Sequence, residues 1–195
     1  MDVFIVHRWN GTPESDWYQW LKRELEKKGF AVFIPEMPET DKPSINKWVG
    51  KISDVASGSD KPYFVGHSIG CQAILRYIES SGKKASGVLL IAPWLHLKDA
   101  AFETDSDRKV AEEWISTPID LDKVKASIGE CRVVMSTRDP YVPVEDSKIF
   151  HDGLNAEINI MPISKHFTGE EGYSELHVAL NEFMKMVPGA AGAGR

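Results

Sequence analysis

Residues 64–74 read FVGHSIGCQAI: an apolar run, the pentapeptide Gly66-His67-Ser68-Ile69-Gly70, and the start of an apolar, helix-like stretch. Composition alone would generate Gly-x-Ser-x-Gly about 0.1 times in a chain with this many glycines and serines, so the bare match decides little. Its flanks decide more. A buried-strand run precedes it and CQAILRYIES, with helical apolar spacing, follows at once, the strand-turn-helix order of a nucleophile elbow. In such a turn a Cβ at position 66 or 70 would collide with the neighbouring strand and helix, which gives both glycines a mechanical reason. The helix opening after Ser68 offers a free backbone N–H at Ile69 and the positive end of its dipole, each suited to a developing oxyanion. A phosphate-binding glycine loop would also place a serine at a helix start, but the GK[ST] ending and the GxGxxG spacing are both missing.

Outward from the elbow, VFIVH (3–7), AVFIP (31–35), PYFVGH (62–67), GVLLIAP (87–93), CRVVMST (131–137) and EINIMPI (157–163) are short runs rich in Val, Ile and Phe. Most are continuously apolar, as strands buried on both faces are. Helix-like stretches lie between or after them, at about 16–28, 44–56, 69–80, 143–153 and 173–186, the last with Leu176, Leu180, Phe183 and Met184 on one face. The alternation predicts an α/β fold of three layers: a doubly wound, mostly parallel six-stranded sheet with helices on both sides. The expected organisation is a single domain over 1–187, with a short helical insertion at about 95–130 over the carboxyl edge of the sheet. PGAAGAGR (188–195) reads as a flexible tail.

The chain of 195 residues is 42% hydrophobic and carries a net charge of -6. Both signs of charge are interspersed, which argues against nucleic-acid or anionic-membrane partners, since these need clustered Lys and Arg. No segment approaches the roughly 20 apolar residues of a membrane span, and VFIVH is too short for a signal-peptide core, so the expectation is a soluble cytoplasmic protein. Cys71 and Cys131 sit in apolar runs without metal-ligand spacing and read as buried free thiols.

A serine needs a base held by an acid. The fifth run closes with STRDPYVP, placing Asp139 just past the sheet edge, and the sixth with PISKHFTGEEGY, placing His166 on the following loop. The order Ser68, Asp139, His166 is that of α/β-hydrolases. Asp146, His151 and Asp152 compete, but they fall in a helical run on the sheet's flank. His67 and His7 are more readily structural, and His96 and His177 carry no special signal. The second oxyanion donor belongs on the loop after the first strand, where the Trp9 N–H is the best candidate. Trp94 and Trp114 are candidate walls of an apolar pocket, and equally good core residues.

With these residues in place, the chain resembles the small serine hydrolases of the retinoblastoma-binding protein 9 and YdeN-like family from residue 3 to about 187. VHRWNGTPESDWYQWLKRELEKKGF looks like that family's opening, VGHSIGCQAILRY its elbow, STRDPYVP its acid loop and SKHF its histidine loop. The resemblance implies a minimal α/β-hydrolase with strand order 2-1-3-4-5-6 and a Ser68-Asp139-His166 triad acting on a small-molecule ester or amide, with no cofactor and no metal. Arg8 stands where many such enzymes have Gly, and Ser164-Lys165 replaces a common glycine pair. The rival expectation is a catalytically silent protein-interaction module on the same fold, although the sequence itself indicates no protein partner.

Overall fold

A computed structural model describes residues 1–163 and 165–189; Ser164 and most of the expected tail, 190–195, lie outside the described residues. Six strands, β1 (Asp2–Val6), β2 (Ala31–Phe33), β3 (Tyr63–His67), β4 (Ala85–Ile91), β5 (Ile128–Ser136) and β6 (Glu157–Met161), form one sheet in the order β2-β1-β3-β4-β5-β6. Every pairing is parallel, so the sheet is wholly rather than mostly so. Such a sheet sends all its strand ends to one edge, and the loops after β1, β3, β4, β5 and β6 therefore start along a common rim.

Strand alternation divides the interior into two cores. Phe4, Val6, Phe64, Val88, Leu90, Val133 and Met135 face α2 (Ile45–Ala56), α3 (Ile69–Ser81) and α6 (Asp146–Leu154), meeting Trp48, Ile52, Ile74 and Phe150. Val3, Ile5, Val65, Leu89, Ile91 and Val134 point the other way, to α1 (Tyr18–Glu26) and α7 (His177–Lys185), meeting Trp17, Leu21, Leu25 and Phe183. Full burial of an aliphatic or aromatic side chain stabilises by roughly 1.5–3 kcal/mol, and the two cores hold the sheet between its helices. α3 is buried from Ile69 through Ile78, all round rather than along a stripe, because α2 and the connection after β4 cover what the sheet does not. It ends at Gly82, whose φ of 62° is the left-handed conformation that terminates helices.

The long connection after β4, where a short helical insertion was expected, carries a 3₁₀ turn and two helices. A 3₁₀ turn (Asp99–Ala101) leads into the twelve-residue α4 (Asp105–Ser116), and α5 (Leu121–Lys125) precedes β5. A capping box opens α4, with Thr104 and Asp107 satisfying one another's backbone N–H groups. Arg76 of α3 closes its other end, donating to the carbonyls of Trp114, Thr117 and Pro118. Among the described residues no helix is long and apolar enough to cross a membrane.

Candidate active site

Ser68 sits between β3 and α3 with φ 55° and ψ -121°, a conformation costly for a residue with a Cβ. Its N–H donates to the Ile91 carbonyl of β4 (2.9 Å), which fixes the turn against the neighbouring strand. The glycines around it are confined as sterics requires. A Cβ on Gly66 would lie 2.7 Å from Cys71 Cα, and one on Gly70 would press into the Val6 carbonyl and lie 2.7 Å from the His7 carbonyl oxygen. Helix geometry leaves the Ile69 N–H without an intrahelical partner. The loop after β1 is drawn into a tight turn by Gly11 N–H to Arg8 O (3.0 Å), with Asn10 at φ 55°. Trp9 lines the cleft from this turn, and its indole N–H is spent on the Asp41 carbonyl (3.1 Å).

Asp139 is buried (3% exposed), and both its oxygens are committed. One accepts the backbone N–H groups of Tyr141 (2.8 Å) and Val142 (3.0 Å); the other faces His166 Nδ1 at 2.8 Å. Because a carboxylate only accepts, Nδ1 carries the proton and Nε2 holds a lone pair. The histidine loop is tied on several sides. Glu171 accepts the N–H groups of His166 (2.8 Å) and Thr168 (3.0 Å), Trp17 donates to the Phe167 carbonyl (3.0 Å), and Ser136 Oγ donates to the Lys165 carbonyl. Phe167 takes φ 62°, a strained turn that these bonds hold in place.

Behind the cleft lies a second polar layer. Arg8 turns its guanidinium onto Asp16 (Nε to Oδ2, 2.8 Å) and the Trp9 carbonyl (3.2 Å), while Asp16 also accepts the Gly169 N–H (2.7 Å). Burial disfavours the Asp16 charge, but the Arg8 hydrogen bond, with His67 and the Gly169 N–H, holds its carboxyl below the usual range. His67 is fully buried; it meets the Tyr18 hydroxyl at 2.7 Å and the His166 carbonyl at 2.8 Å, and burial first and His166 second push its pKa down to about 3. His7 is likewise held below its ordinary value by burial, and meets the Arg8 carbonyl (3.0 Å) and the Met37 N–H (3.2 Å).

Ser68, His166, Trp9 and Trp94 line one cleft of about 500 Å³, with Tyr141 beside the histidine ring and Leu97, Ala100 and Ala101 closing it from the long connection. Trp114, expected as a pocket wall or equally as a core residue, does not line it: α4 turns its indole inward, its ring centre 6.1 Å from that of Trp48, where its N–H reaches the Pro43 carbonyl. The competing acids are committed elsewhere. Asp146 accepts the N–H groups of Leu95 and His96 and faces the His96 ring, Asp152 pairs with Lys148 at the surface, and His151 meets the Ala156 carbonyl.

Several contributors escaped sequence reading. Glu171 had a signal in its capping-box spacing from Thr168. Asp16 and Tyr18 had none, since their partners stand up to 153 residues away. Lys98, which donates to the Asp139 carbonyl (2.7 Å), had none either.

An elbow serine and a histidine held by an acid, converging at the carboxyl rim of a parallel sheet ordered 2-1-3-4-5-6, define the α/β-hydrolase class. The chain matches the serine hydrolase family model over residues 3–185 and belongs to that family. It is 26% identical over 179 residues to YdeN of Bacillus subtilis (strain 168), covering 90% of each chain, and 23% identical over 163 residues to serine hydrolase RBBP9 of Rattus norvegicus, covering 83% of each. In structure it is similar to the B. subtilis ydeN gene product, with a TM-score of 0.84, 24% identity, and 95% and 97% of the two chains covered. It is also similar to Est1E from Butyrivibrio proteoclasticus solved with ferulic acid, with a TM-score of 0.72, 16% identity, and 94% and 88% covered.

Proposed function

We propose that this serine hydrolase cleaves a small carboxylic ester, thioester or activated amide through an acyl-enzyme. Ser68 attacks the carbonyl, His166 Nε2 takes its proton and returns it to the leaving group, and Asp139 fixes the tautomer and stabilises the imidazolium. The N–H groups of Ile69 and Trp9 hold the oxyanion, helped by the dipole of α3. Water then repeats the sequence on the acyl-enzyme and frees the acid. The observation that carries this reading is the 2.8 Å contact of Asp139 with His166 Nδ1, which leaves Nε2 as the free base in the cleft that Ser68 lines.

Among the described residues no hydrogen bond joins Ser68 Oγ to His166 Nε2. Such contacts are commonly loose in free enzymes and tighten around the substrate. A cleft of about 500 Å³, closed from one side by the residues after Trp94, suits a compact acyl group better than a long lipid chain. The esterase-type fold neighbour with ferulic acid makes an ester the first substrate to assay. A fluorophosphonate probe with peptide mapping tests the assignment. Ser68 alone is labelled, and Ser68→Ala abolishes labelling with nearly unchanged thermal unfolding; labelling at another serine overturns the site, and none in folded protein favours the interaction module.

A further inference from the structure

His67 is invisible to the mechanism above: its ring is buried behind Ser68 and touches no substrate. Its hydrogen bonds nevertheless run in a determined direction. A carbonyl only accepts, so the contact with His166 O (2.8 Å) puts the ring proton on Nε2. The neutral imidazole then has a lone pair on Nδ1, which accepts the Tyr18 hydroxyl proton (2.7 Å). The Tyr18 oxygen in turn accepts the Arg8 N–H (3.1 Å). The sequence is continuous: Arg8 N–H to Tyr18 O–H to His67, and His67 N–H to the His166 backbone. It begins one residue before Trp9, passes through the residue before Ser68, and ends on the residue whose ring is the base.

We propose that His67 is a positioning residue, which sets the distance between the oxyanion loop and the His166 loop by bonding the His166 backbone and, through Tyr18, the Arg8 backbone. The inference rests on the hydrolase reading of the preceding subsection. The span runs beside a second one, in which Asp16 joins the Arg8 guanidinium to the Gly169 N–H; that tie lies beyond the base, whereas the His67 tie ends on the base residue itself. The ring is wedged between His166 and Trp17, tilted against both, and edge-on to Tyr18, with ring centres 5.3–5.8 Å apart, which confines it beside its two partners. A displacement on the order of 1 Å between base and oxyanion donors is enough to lower turnover about a hundredfold.

Three substitutions separate the two bonds. Gln at 67 can keep an N–H donor near the Nε2 position and so hold His166; Asn can keep an acceptor near Nδ1 and so hold Tyr18 only; Phe keeps the ring and loses both. Turnover of p-nitrophenyl acetate and the rate of fluorophosphonate labelling are measured for wild type, His67→Gln, His67→Asn, His67→Phe and Tyr18→Phe, with thermal unfolding alongside. Because the span needs both bonds, kcat is expected about a hundredfold lower for His67→Gln, His67→Asn and His67→Phe alike, with KM changed less than about threefold. Tyr18→Phe breaks the same span at its other link, shows a comparable loss, and adds little to His67→Phe. Near-wild-type turnover of His67→Gln or His67→Asn, His67→Phe within threefold of wild type, or losses that follow melting temperature would each overturn the proposal. Absence of Ser68-dependent labelling in wild type overturns the hydrolase reading itself, and is distinguished by appearing before any substitution at 67.

Discussion

Replacing Asp139 by Asn keeps the shape of the side chain and reverses the polarity of one contact. One Asp139 oxygen accepts two backbone N–H groups, from Tyr141 and Val142, and these donors demand an oxygen in the variant as well. The amide NH₂ is thereby turned toward His166 Nδ1, where the second carboxylate oxygen stood at 2.8 Å. Two donors cannot share that contact, so the imidazole moves its proton to Nε2, the nitrogen that must accept from Ser68. Turnover should fall by ~10⁴, or about 5 kcal/mol of transition-state stabilisation, while the number of hydrogen bonds is conserved and stability changes by no more than about 1–2 kcal/mol. Steady-state kinetics on a p-nitrophenyl ester, with thermal unfolding in parallel, measures both. Asp146→Asn is the control: its carboxylate anchors the loop after β4 by two backbone N–H groups, so it should cost stability and at most about tenfold in rate. A tenfold or smaller loss in Asp139→Asn, with the large loss in Asp146→Asn or Asp152→Asn, would refute the placement of the acid.

Burial raises the Cys71 thiol well above its ordinary value and pushes Cys131 up to about 12, so a thiol reagent should react slowly in the folded protein. Cys71→Ala should lose on the order of 1 kcal/mol of stability and keep most activity, and rapid stoichiometric inactivation at Cys71 would contradict its role as a packing residue. The His67 pKa of about 3 has a consequence for acid stability. An unfolded histidine binds its proton near 6.5, so the unfolded state takes up more protons below that value. Stability is therefore full above about pH 6.5 and lost as pH falls toward 3, at up to ~1.4 kcal/mol per pH unit from this one group. Urea unfolding at pH 4, 5 and 7 should show a shallower pH dependence for His67→Gln than for wild type; equal slopes would mean that His67 is protonated in the native state.

Strand locations and the elbow were legible because each rests on local chemistry, whereas the sheet order, a matter of contacts distant in sequence, came only with the family resemblance. Runs such as VFIV and GVLLI announce strands buried on both faces, and glycine at 66 and 70 announces the turn. Legibility failed where burial and sequence part company. β5 begins at Ile128, three residues before the apolar run, because Ile128 and Glu130, at the amino end of the strand, still pair with Ala85 and Gly87 of β4 although Glu130 is exposed. The final helix begins at His177 rather than 173, since residues 173–176 run irregularly after Gly172, and Leu176, at φ -133°, stands outside the helix as its cap. Trp114 was left open between pocket wall and core because nothing local in the long connection says which side an aromatic residue faces. The second polar layer was hidden for a different reason: Asp16 and Tyr18 meet partners on loops distant in sequence, Gly169 and His67, and no local pattern marks such pairs.

The sheet order carries a consequence for how the polypeptide comes off the ribosome. From β3 onward each new strand is added beside the last, so β3, β4, β5 and β6 extend the sheet outward in the order of synthesis. The elbow serine is made at residue 68, whereas the proposed acid and base follow at 139 and 166 on the last two strands to dock. A nascent or prematurely terminated chain ending before residue 166 thus carries the serine with no partner to take its proton. On the proposed reading, then, the serine gains its base only once the last quarter of the chain has docked on the sheet.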